Sequence, residues 1–170
     1  ALFGLIEARE ADIAIKRGVI ERGMSSLSSH MIKDKEYLKK HTWRANPQAF
    51  SCYVLALGGK PVKETMNLLY EERDYLSTYG KSLLSLAMHI SGDKAKARTL
   101  LENILQYVEE DNENETAWLK TSRSGWWYWY NSDIESNAFL IKALVQIDPK
   151  SELLPRLIKW LLNNRRNGYY

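Results

Sequence analysis

An aromatic run followed by two carboxylates is the stretch of this sequence that most suggests chemistry. Five aromatic residues in a row, among them Trp126, Trp127 and Trp129, precede the acidic residues Asp133 and Glu135. Indole rings stack on sugars, and two carboxylates at a suitable separation hydrolyse a glycosidic bond. The three tryptophans and the two acidic residues are therefore a candidate ligand platform, and the chemistry they suggest is carbohydrate binding or hydrolysis.

The same aromatic run has a structural interpretation, which we favour. Large rings fill the wide centre of a helical ring, and Trp and Tyr keep a polar edge for its rim. Glu135 follows Ser132 by three residues, the spacing of a capping box at a helix start. That role occupies its carboxylate, and no second acidic residue is visibly paired with it. The run is predicted to plug the fold more than to bind a ligand.

The thiol and imidazole groups show no arrangement for catalysis or metal binding. Cys52 is the only cysteine and has apolar neighbours, so we interpret it as a buried packing residue. His30, His41 and His89 are isolated and lack the spacing of metal ligands. The sequence therefore predicts no catalytic residue, no metal site and no cofactor.

Length and composition indicate one ordinary globular domain. The chain has 170 residues, of which 45% are hydrophobic and 26% are charged, with a net charge of +3. This charge is too small and too mixed for a nucleic-acid surface, and no apolar run is long enough to span a membrane. The densest basic stretch, residues 33–40, is interrupted by acidic residues and is interpreted as a solvated face or a loop.

Apolar spacing predicts helices along most of the chain, in four pairs. One member of each pair is apolar on most sides and the other carries a narrow apolar stripe, which indicates inner and outer helices in alternation. Asn46, before Pro47, is predicted to cap the start of one helix, and Asp93, after Gly92, to cap the start of another. The predicted ranges are 1–11 with 16–32, 49–57 with 61–70, 78–90 with 94–108, and 133–147 with 151–165.

The predicted fold class is all-α. Short connections make consecutive helices antiparallel hairpins, and uneven spacing between the hairpins favours an incomplete ring, an α/α toroid, over a regular solenoid. Alternation near residues 116–130 also predicts a short β-hairpin, with Thr116 and Trp118 facing Trp127 and Trp129.

Several stretches of the sequence resemble the thioester domain of bacterial alpha-2-macroglobulins. They are "ALFGLIEAREADI", "AFSCYVLALGGKP", "WWYWYNSDIESNAFLIKAL" and "LIKWLLNNRRNGYY", and the resemblance runs in order over nearly the whole chain. It implies an α/α toroid of six helical hairpins. It also implies that residues 1–170 are one domain, a fragment from the C-terminal part of that thioester domain.

The resemblance implies a role in trapping proteases. In the family a bait region is cleaved, the molecule rearranges, and a Cys–Gln thioester acylates the attacking protease. That chemistry needs Cys-x-Glu-Gln, whereas Cys52 is followed by Tyr53, Val54 and Leu55. We therefore expect no thioester residue in this chain, and a motif upstream of Ala1 in those members that have one.

The resulting expectation is a non-enzymatic part of a bacterial alpha-2-macroglobulin-like endopeptidase inhibitor, periplasmic or extracellular. Its partners are proteases, met through the full-length parent, and other domains of that parent. We also expect either self-association or collapse into a more closed arrangement than in the parent, because helices 1–11 and 151–165, the latter with Trp160, would leave apolar sides open. The alternative is a carbohydrate-active α/α-toroid enzyme or a sugar-binding module.

Overall fold

The computed structural model describes residues 1–120 and 133–164, and these residues are mostly helical. The nine α-helices in these ranges are α1 (Leu2–Glu10), α2 (Val19–Ser29), α3 (Lys35–Lys40), α4 (Ala45–Leu57), α5 (Lys63–Glu71), α6 (Thr78–Ile90), α7 (Lys94–Leu105), α8 (Asp133–Ile147) and α9 (Leu153–Asn163). Two strands, β1 (Val108–Asp111) and β2 (Thr116–Leu119), form an antiparallel hairpin between α7 and α8.

All four predicted helix pairs are present, and the two helices of each pair pack together. The more apolar members, α1, α4, α6 and α8, contact one another in series in that order. The striped members lie against the junctions of this series. Helix α2 contacts α1 and α4, α5 contacts α4 and α6, and α7 contacts α6 and α8.

The core is centred on α4 and α6, whose side chains are buried on nearly all sides. Fully buried examples are Tyr53 and Leu55 on α4, and Leu83, Leu84 and Leu86 on α6. Helix α6 packs against α4, α5, α7 and α8, so it is enclosed as the apolar pattern predicts. The outer helices bury only one face; on α7 that face is Ala97, Leu100, Leu101 and Ile104.

Helix α3 was not predicted. It forms in the basic stretch that the sequence suggested was a solvated face or a loop, and the Asp34 carboxylate caps it by accepting the Tyr37 amide at 2.9 Å. The stretch is largely exposed, as predicted, but it is partly helical. Three of its four lysines are paired with a carboxylate; Lys35, for example, lies 2.6 Å from Glu72 and Lys39 lies 3.1 Å from Glu36.

The predicted cap at Asp93 is confirmed, whereas the one at Asn46 is wrong. The Asp93 carboxylate accepts the Lys96 amide at 3.3 Å. Asn46 instead lies within α4, and its Oδ1 accepts the backbone amide of Ser77 at 3.0 Å and the Ser77 hydroxyl at 3.1 Å. The Ser77 hydroxyl accepts the Gly80 amide at the start of α6, so Asn46 ties α4 to the cap of α6.

The strand predicted at Thr116 is present as β2, and its partner among the described residues is a strand that was not predicted. Strand β2 pairs with β1, with Val108 opposite Leu119 and Asp111 opposite Thr116. Residues 106–108 were predicted to be the end of a helix, whereas α7 ends at Leu105. The expected partner residues lie outside the described ranges.

The outer faces of α8 and α9 carry exposed apolar side chains: Ile134, Val145, Ile158 and Leu162. Trp160 is not among them, because its ring stacks on Trp118 of β2 with ring centres 6.5 Å apart. The expectation that the Trp160 side of this helix is open is therefore wrong. No helix in the described ranges has both the length and the apolar character to cross a bilayer.

Candidate functional site

The predicted ligand platform falls only partly within the described residues. Trp126, Trp127 and Trp129 lie outside them, so neither the plug nor the platform interpretation is tested. Asp133 and Glu135 lie in the first turn of α8, where Glu135 is exposed and Asp133 is partly buried. Negative charge in this turn is favourable beside the positive end of the helix dipole, which gives both carboxylates a structural role.

Cys52 lies in the core of α4 and is fully buried. Burial raises the pKa of its thiol from 9.0 to about 12. The thiol is therefore protonated at neutral pH, and a protonated thiol is a poor nucleophile. This geometry agrees with the interpretation of Cys52 as a packing residue.

The three histidines lie in different parts of the fold and make separate contacts. The His30 Nδ1 lies 2.7 Å from the Ser26 carbonyl oxygen, and the His41 ring stacks on Tyr37 at 4.2 Å between ring centres. His89 is near the end of α6, and its Nδ1 is buried without a hydrogen-bond partner among the described residues. Residues 1–120 and 133–164 contain no group of side chains arranged to hold a metal ion.

Five aromatic side chains of the inner helices form a continuous cluster, which we call the inner aromatic cluster. Its members are Phe3, Phe50, Tyr53, Tyr79 and Phe139. Phe139 of α8 meets Tyr53 at 6.1 Å and Tyr79 at 5.4 Å between ring centres, edge to face in both cases. The cluster therefore joins α1, α4, α6 and α8 through aromatic contacts.

Lys142 of α8 places a positive charge at the inner aromatic cluster. Its ammonium lies 5.5 Å from the ring centre of Tyr53 and 5.7 Å from that of Phe3, and 3.6 Å from the Glu7 carboxylate. Burial lowers the pKa of Lys142, but the nearby Tyr53 hydroxyl and the Glu7 carboxylate outweigh burial and raise it overall. Lys142 is therefore a cation at neutral pH and links α8 to α1; it is not prepared to act as an amine nucleophile.

The Tyr53 hydroxyl is buried and makes no hydrogen bond of good geometry to any described residue. The Lys142 ammonium, 5.5 Å from the centre of the Tyr53 ring, interacts with this hydroxyl electrostatically. A hydroxyl and an ammonium at the aromatic cluster are polar groups that sequence reasoning missed. A polar residue among apolar positions of an inner helix, such as Lys142 between Ile141 and Ala143, was the available signal.

A groove of about 520 Å³ lies between the hairpin turn and α9. Its lining residues are Asn112, Glu115, Pro155, Arg156 and Lys159. The Arg156 guanidinium donates to the Glu110 carboxylate, to the Asp111 carbonyl at 3.1 Å and to Asn112 Oδ1 at 2.8 Å. Most of the groove's charge is already paired, because Lys159 also lies 3.3 Å from Glu115.

Asn137 holds the other side of the hairpin and was also missed. It is fully buried on α8, where its Oδ1 accepts the Leu119 amide and its Nδ2 donates to the Asp133 carbonyl, both at 2.8 Å. Its side chain therefore fixes the end of β2 against the first turn of α8. The role is positional, and the signal in the sequence was again a polar residue among the apolar positions of an inner helix.

Comparison of the chain with family models, with curated proteins and with solved structures gives no match.

Proposed function

We propose that this chain is a non-catalytic helical part of a bacterial alpha-2-macroglobulin-like protein, which traps endopeptidases in defence of the cell envelope. The observation that carries the proposal is the nested order of helices. Inner helices α1, α4, α6 and α8 pack in series, and an outer helix covers each junction between them. Part of an α/α toroid requires this order, and the family's thioester domain is such a toroid.

The chain would act as a scaffold within a periplasmic or extracellular parent. Its buried, protonated Cys52 is unsuited to thioester chemistry, so a thioester would belong to another part of the parent. The rigid inner core suits a role in transmitting the parent's rearrangement to neighbouring domains. Proteases would be met by the parent as a whole.

The test uses the full-length protein that contains this chain. A trap surrounds a protease without filling its active site, so a trapped protease loses access to large substrates first. We expect the parent to abolish cleavage of casein by trypsin or subtilisin while cleavage of a small peptide anilide continues. Unchanged cleavage of casein would overturn the proposal.

A matched pair of variants links this result to the chain. Cys52→Ser in the parent should leave trapping unchanged, because the thiol takes no part in it. Leu84→Asp, which buries a charge in α6, should abolish trapping by unfolding the scaffold. Loss of trapping in the Cys52→Ser parent, with its melting temperature retained, would contradict the assigned role of Cys52.

The alternative, a sugar-binding module or carbohydrate-active enzyme, is favoured by one observation. The stacked pair Trp118 and Trp160 belongs to the same contact between hairpin and α9 that forms the groove.

Trp127→Ala separates the two proposals. As a plug, Trp127 should contribute about 3 kcal/mol or more to the free energy of unfolding. Unchanged stability with lost binding to a glycan panel would favour the sugar module.

A further inference from the structure

A stack of planar groups lies on the surface where α3 passes into α4, independently of the protease-trap proposal. The Tyr37 ring stacks on His41, and the Arg44 guanidinium carbon lies 5.7 Å from the centre of the Tyr37 ring and 5.3 Å from that of Trp43. Arg44 Nη1 also donates to the Tyr37 hydroxyl at 2.6 Å. We call these four residues the Arg44 stack.

The Arg44 stack is exposed, although it is built from residues that usually pack inside. Trp43 is 53% exposed and Tyr37 is 39% exposed. Half-exposed Trp and Tyr beside an arginine is the composition of binding hot spots, because rigid aromatic rings and a guanidinium lose little conformational entropy on binding. The surface therefore has the chemistry of an interaction site.

Arg44 is held in place without being neutralised. Most cations near it have a carboxylate partner, as Lys35 has Glu72 and Lys39 has Glu36. No carboxylate of the described residues lies within salt-bridge distance of Arg44, whose position is fixed by two rings and a hydroxyl. Arg44 is partly exposed, and its Nε and Nη2 donate no hydrogen bond to a described residue, so no described residue occupies this edge of the guanidinium.

We propose that the Arg44 stack binds an acidic segment of a partner protein, with Arg44 gripping a carboxylate and Trp43 covering an adjoining apolar side chain. A guanidinium edge matches the two oxygens of a carboxylate, and immobilising it beforehand reduces the entropy cost of binding. A protein segment fits better than a nucleic acid, because the chain's charge of +3 gives no extended basic track.

The experiment follows the Trp43 indole and Arg44 Nε signals of the isotope-labelled chain by NMR, the former assigned with Trp43→Phe. The probe is the peptide acetyl-Glu-Leu-Glu-Leu-Glu-amide, and its control is the same peptide with Gln in place of Glu. We expect saturable shifts of both signals with the Glu peptide and at least about tenfold weaker binding of the Gln peptide, equivalent to ~1.4 kcal/mol.

Variants make the result specific. Arg44→Lys keeps the charge but loses the planar edge, so it should weaken binding of the Glu peptide about tenfold, ~1.4 kcal/mol. Trp43→Ala should weaken binding too. Arg98→Gln is the matched control, because Arg98 is already paired with Glu102 at 3.7 Å. This variant should bind the Glu peptide as tightly as the unsubstituted chain does. Melting temperatures confirm that all three variants are folded.

Three outcomes would overturn the proposal. The first is no shift of either signal at about 1 mM Glu peptide. The second is equal affinity of the chain for the Glu and Gln peptides, or equal affinity of the unsubstituted chain and folded Arg44→Lys for the Glu peptide. The third is tighter binding of a single-stranded oligonucleotide than of the Glu peptide at the same ionic strength, which would identify a nucleic-acid site.

Discussion

Cys52 has the only thiol of the chain, and its burial makes a direct prediction about reactivity. A thiol reagent should label the native protein slowly and the denatured protein quickly, because the thiolate forms readily only after unfolding. The measurement is the rate of labelling by a chromogenic disulfide with and without denaturant. Fast labelling of the native protein would mean that α4 opens readily or that the thiol is accessible.

The same thiol predicts a pH dependence of stability. Its pKa is raised by burial to about 12, against 9.0 as its ordinary value, so the unfolded chain ionises first. The stabilisation from the neutral thiol is complete below pH 9 and is lost as the pH rises towards 12. Between pH 9 and 12, the free energy of unfolding measured by denaturant titration should fall more steeply for the unsubstituted chain than for Cys52→Ala. Parallel curves would contradict the raised pKa.

Gly80 of α6 packs against the Asn46 side chain of α4, and Gly80→Ala should destabilise the fold. A Cβ there would overlap Asn46 Oδ1 and lie 3.1 Å from a methyl carbon of Leu76. Asn46 cannot yield without losing its bonds to Ser77, so we expect the free energy of unfolding to fall by about 1–3 kcal/mol.

Gly4→Ala is the matched control for this substitution. Gly4 lies in α1, and a Cβ there would meet no atom within 4 Å. Its stability should stay the same or rise by up to about 1 kcal/mol, because Ala is the better helix former. Thermal unfolding followed by circular dichroism measures both variants. Equal effects of the two would show that no close contact exists at Gly80.

The sequence predicted the burial of Cys52 but not the role of Asn46. The first depends only on the apolar neighbours of the residue in α4. The second depends on Ser77, 31 residues away, whose hydroxyl and amide both donate to the Asn46 side chain. Local capping rules favour Asn46 as a cap of its own helix, and a tertiary hydrogen bond overrides them.

At the scale of elements, the apolar stripes were sufficient to predict eight of the helices, because an inner and an outer helix bury different fractions of their surface. Helix α3 was missed because its six residues include a single buried one, Leu38. The pairing of β1 with β2 was missed because strand β1 reads as an acidic run. Its charge is compensated from α9, where Arg156 binds Glu110.

Asn137→Ala should loosen the hairpin and weaken the fold. The substitution leaves the buried Leu119 amide without its acceptor, so we expect a loss of about 1–3 kcal/mol. The control is Asn67→Ala, an exposed residue whose Oδ1 accepts Lys96 Nζ at 2.7 Å. That control should change stability by less than about 0.5 kcal/mol. Similar losses in both variants would contradict the role of Asn137.

At the scale of the whole molecule, exposed apolar side chains of α8 and α9 predict self-association of the isolated chain. Val145 is 53% exposed and Leu162 is 62% exposed, on two helices that pack together. Apolar patches of this kind usually contact a partner. Light scattering should show a mass that increases with concentration, and Val145→Lys with Leu162→Lys should return it to the monomer.

Ile13→Lys is the control, because Ile13 is 58% exposed but lies after α1, away from α8 and α9 in the chain. It should leave the association unchanged. Trp160→Glu is unsuitable as a test, since it would also break the stack with Trp118. A chain that stays monomeric at every concentration would contradict the prediction, and an equal effect of Ile13→Lys would place the contact elsewhere.

The pair of Lys142 with Glu7 has a consequence for the order in which the chain folds. Contacts of α6 with α5 and α7 join segments that are neighbours in sequence, so they form across short loops, whereas this pair joins the two ends of the inner series. We expect the central helices to assemble first and α1 to join α8 late. The speed of folding then depends on the middle of the chain, and the lifetime of the native state depends on how firmly its ends are joined.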